Sequence, residues 1–250
     1  MQVTGLTDIG KVRKINEDSY FFSRERVGGA PNLFLVADGL GGHNAGEVAS
    51  RMAIDTVVAY FREHPAEDCR AALVAAVVRA NQAVYAYGRE NIDCRHMGTT
   101  LVGLILLPEE YVLINIGDSR AYLYRQGELR QITKDHSPVQ DLQESGLITE
   151  EEAFSHQNRN LISRAIGIES DVSPDLYTVP AEENDILLLC SDGLSSYLRR
   201  RELEEIFGQE SEIPALAAGL IQEALNRGGG DNITVILVKN ERESEAGYAE

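Results

Sequence analysis

The tightest constraint on the fold is that apolar runs come in pairs with almost nothing between them. "TTLVGLILL" (99–107) meets "YVLINIG" (111–117) across a short turn at Pro108 and Glu109. "RAYLYRQGELRQIT" (120–133) alternates apolar and polar positions on both sides of Gln126-Gly127, a pair suited to a hairpin turn. Connections this short cannot hold a parallel crossover, so the strands must pair antiparallel. Further strand-like runs are "DSYFFS" (18–23), "NLFLVAD" (32–38), "DILLLCSD" (185–192) and "NITVILVKN" (232–240).

Helical periodicity fills the gaps. Residues 45–63 place Val48, Met52 and Ala59 near one face, with Asn44 as N-cap. Residues 66–90 align Leu73, Val77, Ala80, Val84 and Tyr87, and "EIPALAAGLIQEALNRGGG" (212–230) ends in glycines suited to a helix C-terminus. Sheets of antiparallel strands with helices segregated onto their faces make an α+β protein, not a doubly wound one. No repeat or Pro/Gly/Ser linker divides residues 1–240, which are expected to form a single domain. "ERESEAGYAE" (241–250) reads as a flexible polar tail.

The segment 137–167 stands apart: it is acidic and has no strand pattern. Ser137 with Gln140, and Thr149 with Glu152, have capping-box spacing, so two short helices are expected on either side of Gly146. Such an excursion reads either as an ordinary helical insertion or as a lid beside a site. "LRRRELEEIF", with Arg199, Arg200 and Arg201, reads as the solvated start of another helix or as a dock for phosphorylated or acidic partners.

Composition narrows the function classes. The 250 residues are 43% hydrophobic and 25% charged, ample for a soluble core. A net charge of −17 argues against nucleic acid, whose phosphates need clustered cations. Cys69, Cys94 and Cys190 form no C-x-x-C pair and leave an odd thiol, which fits a reducing compartment. No secretory signal is visible at the N-terminus, and the longest apolar runs fall far short of the roughly 20 residues a membrane span needs. A cytoplasmic, soluble chain is the expectation.

Four aspartates stand at the ends of the most apolar strands: Asp38, Asp118, Asp192 and Asp231. Any one alone is a common turn former. If all four meet, their repulsion must be relieved by cations, and oxygen donors suit Mg²⁺ or Mn²⁺. Zinc would want His or Cys at ligand spacing, and His43, His64, His96, His136 and His156 are scattered. Glycines beside Asp38 would let a carbonyl or an ion's water approach without a Cβ in the way. Two such ions about 3.5–4 Å apart can hold a shared hydroxide and aim it at phosphorus. Arg13 could grip two phosphate oxygens, and Glu17 and Asp18 could orient the ions' waters.

These residues also carry a resemblance. "VRKINEDS", "VADGLGGHNAGEVAS", "MGTTL", "IGDSRAYLYR", "DHS", "LLLCSDGL" and "GGGDNITVILV" occur in the order seen in the metal-dependent PPM family of protein phosphatases (type 2C), over about residues 4–238. The resemblance implies a β-sandwich of two antiparallel sheets flanked by pairs of helices, and a helical flap at 137–167. It implies hydrolysis of phosphoserine and phosphothreonine in proteins, in opposition to a cognate bacterial Ser/Thr kinase, by a monomeric enzyme. By the same resemblance Asp38 bridges two Mn²⁺ or Mg²⁺ ions, the Gly39 carbonyl completes one sphere, and Asp192 and Asp231 hold the other ion. Asp118 with Asp192 matches a weaker third metal site, Arg13 the phosphate-binding arginine, and His43 the candidate general acid. A non-catalytic scaffold of the same fold would lack these acids, and none is missing.

Overall fold

The long strands are apolar at consecutive positions because both of their faces are covered. The computed structural model describes residues 1–41, 45–65, 68–209 and 212–241. Along the chain run β1 (Gln2–Asp8), β2 (Asp18–Ser23), β3 (Leu33–Leu40), α1 (Ala45–Glu63), α2 (Cys69–Glu90), β4 (Gly98–Thr99), β5 (Leu101–Leu106), β6 (Glu110–Ile116), β7 (Arg120–Arg125) and β8 (Glu128–Gln131). They are followed by α3 (Pro138–Glu144), α4 (Glu150–Phe154), β9 (Asp175–Pro180), β10 (Ile186–Cys190), α5 (Asp192–Ser195), α6 (Arg200–Gln209), α7 (Ile213–Asn226) and β11 (Ile233–Lys239). One sheet has the order β1-β11-β10-β7-β8; the other runs β2-β3-β5-β6-β9, with β4 paired to the end of β3. Pairing within both is antiparallel.

Side-chain alternation sorts the apolar residues into three cores. Phe34 and Val36 of β3 face the other sheet and pack with Leu187, Leu189, Ile236 and Val238. Leu33, Leu35 and Ala37 face outward onto α1 and α2. Leu188, Val235 and Leu237 face the opposite way, under α5, α6 and α7. The result is four layers, α-β-β-α, as the sequence implies.

Local chemistry sets the corners. Gln126 (φ 52°) and Gly127 (φ 89°) both take left-handed conformations, as a two-residue hairpin turn between twisted strands requires. The Asp68 side chain caps α2 by accepting from Arg70 N–H at 2.9 Å. At the end of α7, Gly228 and Gly229 donate back to Leu225 O and Ala224 O, both at 3.1 Å. Thr149 and Glu152 form the full capping box of α4. Ser137 makes only half of one, because Gln140 donates its side-chain amide to Glu144 instead.

Further expectations differ from what is found. The buried stripe of α1 runs through Ala49, Ala53, Val57 and Phe61; Val48, Met52 and Ala59 lie at its half-buried margin. Strands β1 and β9 carry no clear apolar signal because they are sheet edges with few fully buried positions. The second helix starts at Cys69, and Ala66, like the proposed cap Asn44 and the tail 242–250, lies outside the described residues. Among the described residues no helix is long and apolar enough to cross a membrane.

Candidate active site

Asp38, near the end of β3, is the antiparallel partner of Asp18 on β2, so two acids face each other across one pair of strands. Asp192 opens α5 directly after β10, Asp231 precedes β11, and Asp118 follows Gly117 in the turn between β6 and β7. Both sheets therefore deliver carboxylates to one edge of the sandwich. The backbone around Asp38 is tightly held. Its N–H donates to Thr100 Oγ1 at 3.0 Å, and its carbonyl accepts from Thr100 N–H at 2.9 Å and Thr99 Oγ1 at 2.8 Å. Thr100 Oγ1 also meets Ser119 Oγ at 2.7 Å, tying the Asp38 strand to the Asp118 turn.

Two glycines permit this crowding. A Cβ on Gly39 would stand 2.2 Å from Gly46 O, and one on Gly193 would stand 1.9 Å from Asn232 O. The first lets β3 press against the start of α1; the second lets the Asp192 turn press against the segment bearing Asp231.

The electrostatics show that these acids share one region. Burial pushes the Asp38 carboxyl well above the usual range, and repulsion from Asp18, Asp192, Asp118 and Asp231 adds to it. Asp192 is raised to about 6 by burial and by Asp231, despite a hydrogen bond with Asp38 and the pull of Arg120 and Arg13. Burial likewise lifts Asp118, reinforced by Asp192 and Asp135 and opposed by Arg120. Asp18 is raised to about 7 by burial, even though its Oδ2 accepts from Thr234 Oγ1 at 2.6 Å and Ser191 Oγ at 2.7 Å. Its other oxygen, Oδ1, is buried without any hydrogen-bond partner.

Arg13 reaches the same edge, where its Nη2 donates to Asp231 Oδ2 at 2.7 Å and its Nη1 lies 3.6 Å from Glu17. Glu17 also accepts from the Gly46 N–H at the first turn of α1. Asn232 fixes this N-terminal loop. Its Nδ2 donates to Ile9 O and Ile15 O at 2.9 and 3.0 Å, and its Oδ1 accepts from Glu17 N–H at 2.8 Å. His43 lies outside the described residues.

Thr100, Ser191, Asn232 and Thr234 were not singled out from sequence, although each lies inside or beside a quoted motif. Nor was the half-buried Arg120, which donates from Nε and Nη2 to both oxygens of Asp135 at 2.7–3.0 Å and lies in the field of Asp118 and Asp192. A cavity of about 520 Å³ opens beside those two aspartates, between the flap helices and the start of α6, with Lys134, Phe154 and Arg199 in its walls. A larger groove of about 740 Å³ runs along α1 and is lined by none of the four strand-end aspartates.

The residues suit a hard divalent cation. The donors are carboxylates and carbonyls, the carboxyl groups repel one another strongly enough to raise each other's pKa, and one buried oxygen has no partner. Among the described residues no three His, Cys, Asp or Glu side chains already close on one point as a finished ligand shell. The acids are neighbours whose mutual repulsion a cation would cancel.

Comparison with known proteins agrees with this architecture. The family model described as Protein phosphatase 2C matches residues 11–226. The serine/threonine phosphatase Stp of Listeria monocytogenes (serotype 4b, strain F2365) is 38% identical over 241 residues, covering 94% of each chain. The crystal structure of the Mycobacterium tuberculosis serine/threonine phosphatase PstP/Ppp superposes with a TM-score of 0.87 at 41% identity, covering 96% of this chain and 99% of that one. The PstP catalytic domain in complex with two manganese ions gives 0.84 at 40% identity, over 96% and 98%. Two antiparallel sheets between helix layers, with carboxylates gathered at one edge, are thus the mark of a phosphatase class. The chain belongs to the protein phosphatase 2C family, and its similar members are the bacterial serine/threonine phosphatases.

Proposed function

We propose that residues 1–240 work as one catalytic domain that hydrolyses phosphoserine and phosphothreonine in proteins with Mn²⁺ or Mg²⁺, as a cytoplasmic monomer opposing a cognate Ser/Thr kinase. The observation that carries this reading is the meeting of Asp38 and Asp192, one from each sheet, in one another's field and in that of Asp18, Asp118 and Asp231.

Asp38 and the Gly39 carbonyl would hold one side of an ion pair, and Asp38, Asp192 and Asp231 the other. Asp118 with Asp192 would offer a weaker third position. Bound there, the ions supply a hydroxide at neutral pH and positive charge for the phosphoryl oxygens. The protein's own groups do the rest. Asp18 would brace Asp38 from beneath, held by Ser191 and Thr234. Arg13 would exchange Asp231 for phosphate once a cation neutralises that acid, and its planar fork would then fix two phosphoryl oxygens. Glu17 keeps Arg13 nearby. His43 would give a proton to the seryl or threonyl oxygen as it leaves. The buried Cys190 thiol, held up to about 12 by burial, is no nucleophile. Cys69, Cys94 and Cys190 are all free.

The test is phosphate release from phosphothreonine peptides with and without Mn²⁺. Release that requires the ion and disappears in Asp38→Asn and Asp192→Asn supports the reading; metal-independent release, or near-normal turnover by either variant, overturns it. Arg13→Ala should raise KM more than it lowers kcat.

A further inference from the structure

His136 occupies the junction between the flap and the Asp118 turn. Its backbone N–H donates to Gly117 O at 2.9 Å, and its Nδ1 accepts from Gly117 N–H at 3.1 Å. One residue thus holds both peptide groups of the glycine that precedes Asp118. Gly117 has φ 104°, and a Cβ there would stand 2.5 Å from the Thr100 side chain, so the turn has no slack for another residue. Asn115 Nδ2 adds a donor to Gly117 O at 3.3 Å.

The other side of His136 faces the returning end of the flap. Its carbonyl accepts from Ser163 N–H at 2.8 Å. The acceptor role of Nδ1 assigns the ring proton to Nε2, which lies 3.1 Å from Asp175 Oδ2, off the line of a good hydrogen bond. Asp175 Oδ1 takes Arg164 Nη1 at 3.0 Å. The His136 side chain is 1% exposed, so these groups and Asp135 make up its charged surroundings.

We propose that His136 is a positioning residue for Asp118, fixing the direction of its carboxylate at the weaker cation position and tying that position to the base of the flap. The proposal rests on the reading of Asp118 as a ligand there. Removing the Nδ1 acceptor strands a buried N–H unless the turn moves to find a new partner. Moving the turn moves Asp118. Groups that orient a ligand in this way change ion affinity without touching the ion.

The experiment is a calorimetric Mn²⁺ titration of the wild type, Asp118→Asn, His136→Asn and His136→Gln. Asparagine can place an amide oxygen about where Nδ1 stands; glutamine carries its amide one methylene further, towards the place of Nε2. His136→Gln should lose about ten- to a hundredfold in affinity for the weak ion, with the tighter ions within about twofold, while His136→Asn stays near the wild type. If Asp118→Asn keeps every ion, the ligand reading of Asp118 fails. If Asp118→Asn loses the weak ion but His136→Gln does not, the reading stands and the positioning role is wrong. Equal loss in both histidine variants also overturns it. Should His136→Gln not fold, the wild type still decides. The ¹⁵N shifts of His136 must show an unprotonated Nδ1 at neutral pH and must move when Mg²⁺ fills the weak position; their indifference to the ion sinks the proposal.

Discussion

At Asp38, burial and four neighbouring carboxylates all disfavour the negative charge that cation binding requires. The folded protein therefore holds this proton more tightly than the unfolded chain does. Without a cation, the stability linked to Asp38 is fully present below the ordinary value of 3.8 and is lost as pH rises through the higher folded value. Asp38→Asn removes the charge altogether. It should cut Mn²⁺-dependent phosphatase activity by at least about a hundredfold, the scale of losing one electrostatic group at a reacting centre. In metal-free buffer at mildly alkaline pH it should also melt higher than the wild type, by roughly 2–4 °C for each kcal/mol of repulsion relieved. Calorimetry in chelator reads the second effect, and a lower melting point would count against the crowding of carboxylates.

At the scale of elements, the β7–β8 hairpin offers a test of local geometry. Gln126 holds a left-handed conformation at φ 52°, which asparagine adopts more easily. Gln126→Asn should stabilise the protein by about 0.5 kcal/mol in urea unfolding, whereas Gly127→Ala, at φ 89°, should cost about 1 kcal/mol or more. The segment between β8 and α3 gives a pH test. Burial lowers the pKa of His136 below 6.5, against the pull of Asp175. As pH falls through 6.5 the unfolded chain takes up a proton that the folded one refuses, so stability present above 6.5 drains away down to the lower folded value. His136→Asn should flatten the dependence of urea midpoint on pH across that window; an unchanged slope would remove the histidine from the account.

Legibility from sequence follows the same physics. Strands buried on both faces, such as β5 and β10, announce themselves because every position is apolar. Edge strands β1 and β9 do not, since half their positions face water. The α1 stripe was misplaced because the larger Val48 and Met52 suggested a core that small residues, Ala49 and Ala53, in fact form against β3. The strand-end aspartates were legible because their position repeats. What stayed hidden was everything that holds them: Thr100, Asn232 and the Arg120–Asp135 pair act through space, across separations that no local pattern records.

For the molecule as a whole, a net charge of −17 and a cluster of buried and half-buried acids would link divalent-cation binding to stability. Mn²⁺ at a hundred times its dissociation constant should add about 2.7 kcal/mol per site to the unfolding free energy, reversibly with chelator. No shift in melting temperature on adding Mn²⁺ would mean that the acids do not bind it. The order β1-β11-β10 has a further consequence for folding. The last of the described strands, β11, is the one inserted between β1 and β10, and Asp231 enters with it. Without β11 the five-stranded sheet is split between β1 and β10, and the cluster lacks Asp231. While β11 is undocked, the uncovered edges of β1 and β10 are a template for pairing with other chains, so this sheet closes only when residues 233–239 are in place.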